Sequence, residues 1–319
     1  MKPTEFWKNF KLGEELCISG TFIYNGLRCF HEMDSLDRPE ELFEFLYNLS
    51  VGFERLLKIA IVLHEHNDTV NQEALEKSLI THNHSSLLKH LQKHSKINLS
   101  SPQIHLFDLL SIFYKSLRYD RFTLSSSYQL NKERESLFNW LNKHLNTNLL
   151  NETPLLGNIN SDRYRKFVQK TTLKISKVIY EIIKKQACKI NLYTYELRSG
   201  SKAESIFLRE VKISEEDILW KELLIFFMNT DSSSGYLNFL KGIQPLEFDP
   251  GLISDYLECF QSNKSKASVM DELEHLYSET VSNVKERLEE IGAIAAPNIY
   301  FETEDDDPEE EYTDLHLFD

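Results

Sequence analysis

The sequence predicts a mostly α-helical protein. Three observations lead there. Glycine and proline are scarce, at 10 and 8 of 319 residues. Apolar residues recur at steps of three and four along most of the chain. Only one stretch alternates with a period of two. Apolar residues form 41% of the chain, enough for a core, which argues against wholesale disorder.

The elements follow in chain order. Residues 10–33 show helical spacing, with Leu12, Leu16, Ile18 and Phe22 apolar. In 37–66, Asp37 suits an N-cap, Pro39 the first turn, and Glu40 and Glu41 the positive helix end. Phe43, Leu46, Leu49, Phe53, Leu57 and Ile61 then step along one face. Gly52 inside that helix costs about 1 kcal/mol relative to alanine, so a close-passing neighbour helix is expected. "HNHSSLLKHLQKH" reads as a shorter helix, and "SSPQIHLFDLLSIFYKSLRY" as another with Ser101 and Pro102 as its start. "KERESLFNWLNKHL" is a further amphipathic helix. "NETPLLGNINSD" (151–162) reads as a linker, and a basic helix fills 161–189. Alternation in "INLYTYELR" and "SIFLREVKI" predicts a β-hairpin over about 190–213. Ser214 with Asp217 reads as a capping box for the next helix. Two more helices, near 251–261 and 267–291, complete the body. This gives a helical bundle over 1–150, a helical domain with one hairpin over 151–300, and a disordered acidic tail over 301–319.

The net charge of −14 is unevenly spread. The tail 301–319 holds ten acids and no lysine or arginine, while 161–190 holds nine bases against Asp162 and Glu181. On the basic helix, Tyr164, Val168, Thr171, Ile175, Ile179 and Ile182 form an apolar seam. Arg163, Arg165, Lys166, Lys170, Lys174 and Lys177 are left to neutralise phosphates. The acidic tail is either a solubilising end or a nucleic-acid mimic that covers this face. Four scattered cysteines without a CxxC fit a reducing compartment. No apolar run is long enough for a membrane span, and the N-terminus lacks the pattern of a signal peptide. A soluble, cytoplasmic protein without a membrane partner is expected.

Few motifs carry chemistry. His90 and His94 are spaced i,i+4, as a zinc pair would be. "HLQKH" lacks the glutamate of HExxH and shows no third ligand, so surface histidines are the expectation and no metal or cofactor is assigned. "HNH" at 82–84 matches the nuclease motif of that name in letters only. Phosphate-loop, dinucleotide and hydrolase signatures are absent from the sequence. "YKSLRYDRF" ends an apolar helix with Arg118 and Arg121 beside Tyr114 and Tyr119, the residue types that grip phosphate and stack on bases.

The order of three motifs is informative. Glu54 and Lys58 lie in an apolar helix, "THNHSSLLKHL" opens a second helix, and Tyr-x-x-x-Arg-Tyr closes a third. Over about 40–145 this succession resembles the HEPN superfamily of small helical domains. The resemblance implies a four- or five-helix bundle, frequently paired as a homodimer, and a place in prokaryotic conflict systems such as phage defence or toxin–antitoxin pairs. RNA or a nucleotide would be the ligand, with a protein partner in the same system. Many members are metal-independent RNases whose Arg-x4–6-His motif supplies the acid–base group. Here the matching positions hold Thr123, Leu124 and Ser125 after Arg118, and Ser126, Ser127 and Tyr128 after Arg121. Arg118, Glu54, Arg121 and Tyr128 are therefore the expected catalytic set, with Tyr114, Tyr119, Lys58 and the basic helix binding nucleic acid. A non-catalytic adaptor acting through the C-terminal domain and the acidic tail is the alternative.

Overall fold

The computed structural model of the protein describes residues 2–67, 69–120, 122, 124, 132–149, 157–192, 194–208, 213–231, 235–261 and 266–296. The described elements are helical, and the β contact among them is a single isolated bridge between Ser35 and Ile159. No helix among the described residues is long and apolar enough to cross a membrane. The chain divides into two compact units, Met1–Ile213 and Ser214–Asp319.

In the first unit, α1 (Pro3–Phe6) passes through a π turn (Trp7–Lys11) into α2 (Leu12–Glu32). Then come α3 (Pro39–Glu65), α4 (Gln72–Leu79), α5 (His84–Gln92) and α6 (Ser101–Ile112). A second π turn, Phe113–Leu117, leads into α7 (Arg118–Asp120). The unit closes with α8 (Lys132–Leu145), α9 (Asp162–Lys189) and α10 (Lys202–Phe207). The core is built around α3, whose Phe45, Leu49, Phe53, Leu56, Ala60 and Ile61 are buried.

Gly52 is where α2 meets α3. A Cβ there would sit 2.6 Å from Ile23 Cγ1 and 3.1 Å from both Ile23 N and Ser19 O. Ser19 Oγ donates to Gly52 O at 2.8 Å in the same contact. The close-passing helix expected from this glycine is α2.

The basic helix packs on the bundle. Val168, Thr171, Ile175 and Ile179 are buried as the seam predicts, but Ile183 rather than Ile182 continues it. Gln186 also donates to the backbone of Leu63 near the end of α3. The basic helix belongs to the compact unit Met1–Ile213.

The predicted hairpin is not formed among the described residues. Its first half instead terminates α9. Asn191 takes φ +57, its N–H reaches Cys188 O, and the Leu192 N–H reaches Ala187 O at 2.9 Å. This double closure satisfies the last carbonyls of a helix. The stretch between the two predicted strands starts α10, which runs into the second: Ser201 Oγ accepts the Glu204 N–H at 3.1 Å, and Ala203, Ile206 and Phe207 are buried together. An N-cap and i,i+3/i+4 burial outweigh the alternation. Residues 209–212 lie outside the described set.

Two start signals are shifted. The N-caps are Arg38 for α3 and Ser100 for α6, where Ser100 and Gln103 form a capping box. Asp37 instead receives the Asn158 N–H at 2.6 Å, the Asn158 Nδ2 at 3.0 Å and Arg134 Nη1 at 3.0 Å. Asn160 Nδ2 donates to Phe30 O and Met33 O. The end of the predicted linker is thus sewn onto the loop between α2 and α3. Burial pushes the Asp37 carboxyl up, but these donors outweigh it and hold it below its usual 3.8. Asp37→Ala is expected to cost about 1–3 kcal/mol in urea unfolding at neutral pH, since buried donors lose their acceptor. A carboxyl held low stabilises above its unfolded pKa and loses that contribution as pH falls through the folded one. The gap between Asp37→Ala and the parent should therefore narrow in acid; a gap independent of pH would contradict this role.

The second unit comprises α11 (Ile213–Asn229), α12 (Gly235–Gly242), α13 (Ile253–Gln261), α14 (Ala267–Glu279) and α15 (Val284–Gly292). The first of these opens at Ile213, so Ser214 falls inside the helix rather than capping it. Trp220 stacks on Phe260 at 5.9 Å, and the Tyr256 hydroxyl donates to Glu272 at 2.7 Å. Along α11, Ile218, Leu219, Leu223, Phe226, Phe227 and Met228 are exposed.

Candidate functional site

One polar cluster joins α3, the segment before α5, and the π turn after α6. Glu54 is buried on the middle of α3. Lys58, one turn on, donates to its Oε1 at 2.6 Å. His82 donates from Nδ1 to its Oε2 at 2.9 Å. The His82 side chain is 53% exposed, and with Nδ1–H given to Glu54 a neutral ring keeps Nε2 as its acceptor. Burial raises the Glu54 carboxyl, but the hydrogen bonds from Lys58 and His82 and the Lys58 charge outweigh it and keep it below the usual carboxylate range. Glu54 is therefore an anion that orients His82.

Tyr114 links this pair to an arginine. Its ring meets His82 edge-on at 5.1 Å, and the Arg118 guanidinium lies over it at 3.7 Å from the centroid. Arg118 also covers Tyr119 at 4.5 Å. The widened turn Phe113–Leu117 carries Tyr114 and brings Arg118 onto it one turn later. Single π turns are frequent at functional sites. No carboxylate pairs with Arg118 among the described residues, and its buried Nε has no acceptor there. The Tyr114 hydroxyl is pushed up by burial and by the Glu54 charge, with Arg118 opposing, so it is a neutral donor.

A hollow of about 230 Å³ opens beside Glu54, lined also by Glu15, Arg55, Lys58 and Tyr114. Arg55 pairs with Glu15 across it. Small-molecule pockets hold roughly 300–1,000 Å³, so this space is smaller than an enclosed cofactor site.

His84 supports the frame. It is fully buried, and its Nε2 donates to Ser50 O at 2.8 Å, tying the start of α5 to α3. Its Nδ1 has no partner among the described residues. Burial lowers its pKa from 6.5 to about 4. The unfolded chain thus takes up this proton first, and stability contributed above pH 6.5 is lost as pH falls toward about 4. The loss is on the order of 3 kcal/mol. His84→Gln, which keeps a donor without the titration, should flatten the urea midpoint across that window; parallel profiles would argue against it.

Comparison with protein-family models, curated proteins and solved structures finds no match to this chain.

Of the expected catalytic residues, Glu54 and Arg118 meet in this cluster through His82 and Tyr114, while Arg121 and Tyr128 lie outside the described residues. Lys58 and Tyr114 belong to the cluster, and Tyr119 is 55% exposed at its edge. His82 is the residue that sequence reasoning passed over, because its partner is 28 positions earlier and no spacing rule connects them. On α9, Lys166, Lys170, Lys174 and Lys177 are exposed along one face, without a carboxylate partner among the described residues. Arg163 and Arg165 differ. They donate to Leu145 O at the end of α8 and Met33 O at the end of α2, where basic groups satisfy terminal carbonyls.

Elsewhere, a hollow of about 890 Å³ is lined by Asn9, Phe10, Glu14, Cys17, Tyr195 and Arg198 among others. The Cys17 thiol is pushed up to about 12 by burial and by Glu196, which leaves it protonated and a poor nucleophile.

Proposed function

We propose that the protein is an RNA- or nucleotide-directed, HEPN-like component of a prokaryotic conflict system, with the Glu54–His82–Tyr114–Arg118 cluster as a metal-independent ribonuclease centre. The carrying observation is the exposed His82, held by a buried carboxylate and sharing the Tyr114 ring with a guanidinium that has no carboxylate partner among the described residues. His82 Nε2 takes the proton from a ribose 2′-hydroxyl as the 2′-oxygen bonds to phosphorus. Arg118 stabilises the charge on the phosphoryl oxygens. The bond from phosphorus to the 5′-oxygen breaks, and that oxygen takes a proton from water, leaving a cyclic phosphate and a 5′-hydroxyl. Lys58 and the exposed lysines of α9 supply sequence-independent attraction to the backbone.

The test is labelled tRNA and total RNA with the full-length protein in EDTA. Cleavage that Arg118→Ala abolishes supports the reading. Salt-sensitive RNA binding without cleavage would reduce it to a nucleic-acid-binding module, and neither result would remove it.

The exposed apolar face of α11 favours a second reading, an adaptor that docks a protein partner through the C-terminal unit. It predicts that Leu223→Asp with Phe227→Asp abolishes complex formation and leaves RNA binding unchanged.

A further inference from the structure

We propose that Glu65, His90 and His94 form a binding site for a transition-metal ion of the zinc class, joining the last turn of α3 to the end of α5. The two histidines are spaced i,i+4, and the third ligand absent from their local sequence comes from another helix. Glu65 Oε1 accepts from His90 Nε2 at 2.7 Å and from His94 Nε2 at 2.6 Å. The three ligand atoms all lie within 4.8 Å of one another. No lysine or arginine among the described residues pairs with this carboxylate, so its charge is directed at the two rings.

The geometry is close to that of a loaded site. A tetrahedral ion with bonds of about 2.0–2.1 Å keeps neighbouring ligand atoms about 3.3 Å apart. The two N···O distances, 2.7 and 2.6 Å, would therefore open by about 0.6–0.7 Å. The side chains have room for this, with 20%, 30% and 22% exposure for His90, His94 and Glu65. On binding, each neutral ring carries its proton on Nδ1 and offers the Nε2 lone pair, so the ion replaces two hydrogen bonds with two metal–nitrogen bonds.

Two imidazoles and one carboxylate select zinc, cobalt, nickel or copper over magnesium or calcium, which prefer all-oxygen shells. A fourth histidine, His64, lies 5.8 Å from His94 by ring centroids. It is committed elsewhere: its Nδ1 donates to Ala60 O at 2.8 Å, and its Nε2 accepts from Ser95 Oγ at 3.1 Å. The fourth position therefore belongs to water or an external ligand. Glu54 and Glu65 are both on α3, eleven residues or about 16 Å apart. The ion would stiffen the helix pair that frames the Glu54 cluster without touching that cluster.

The test uses full-length protein stripped with EDTA and dialysed. Zinc is titrated in competition with a chromophoric chelator, and cobalt(II) is followed by visible absorption. One equivalent per chain is expected, with the intense bands of low-coordinate cobalt, and excess magnesium should not displace it. His90→Ala, His94→Ala and Glu65→Ala should each weaken binding about tenfold or more, while His275→Ala in the other unit leaves it unchanged. Circular dichroism reports whether each variant is folded, and His94→Gln replaces any alanine variant that is not. Less than one equivalent in the parent, or affinity unaffected by all the ligand variants, would overturn the assignment.

Discussion

Gly52→Val is expected to unfold the first unit at room temperature, and Gly52→Ala to destabilise it. The two helices touch at this position. An added methyl group would lie 2.6 Å from Ile23 Cγ1, a contact that must move, and 3.1 Å from two backbone atoms of α2 that cannot yield independently. Ile23 is fully buried. Overpacking of this kind costs about 1–3 kcal/mol for a small addition. Alanine recovers up to about 1 kcal/mol of helix propensity, so a net loss of about 1–2 kcal/mol remains. Valine adds two further methyl groups against the same backbone and forces α2 and α3 apart. A domain stability of about 5–15 kcal/mol leaves little margin once the Ser19–Gly52 hydrogen bond and the surrounding core are also lost. Urea or thermal unfolding followed by circular dichroism gives the answer. Gly292→Ala, where no neighbour lies within 4 Å of the added carbon, is the control and should be neutral or mildly stabilising. A Gly52→Val protein as stable as its parent would mean that the two helices are not in contact here.

His82→Ala is expected to lower RNA cleavage by about 10²–10⁴-fold, the usual worth of a positioned general base. The side chain is largely solvent-exposed, so the unfolding midpoint should shift little, which separates loss of chemistry from loss of fold. Glu54→Gln should also lower the rate, because an amide neither fixes the imidazole tautomer as a carboxylate does nor balances a protonated ring. Arg118→Lys should not restore Arg118→Ala, since a point charge cannot reproduce a planar fork stacked on Tyr114. The readout is the initial rate together with the product end: a cyclic phosphate marks attack by the 2′-hydroxyl. Full activity in His82→Ala would remove the proposed base, whatever Arg118→Ala does.

The helices were legible because their signals are local. Apolar spacing on 39–65 and 162–189 needs no knowledge of the neighbours, and a glycine inside a strongly apolar helix points to a close contact. The misread hairpin shows the limit. Over "SIFLREVKI" both periods fit a few residues, and the decision fell to the Ser201 cap and the burial of Phe207 beside Tyr180 at 5.1 Å. Asp37 shows the same limit at a helix start. It has the composition of an N-cap, yet it is taken by Asn158 and Arg134, about 100 positions away, which together offer stronger hydrogen bonds than one helix N–H.

From the chain alone came the helical class, the basic helix with its buried seam, and Glu54, Lys58, Tyr114 and Arg118 as residues of interest. Tertiary structure alone decided that His82 stands on Glu54, that Glu65 joins His90 and His94, and that Arg163 and Arg165 hold helix ends. The physical reason is range: helix periodicity and capping act within about four residues, whereas a hydrogen bond or a ligand shell depends on distances in space that only the packed helices set.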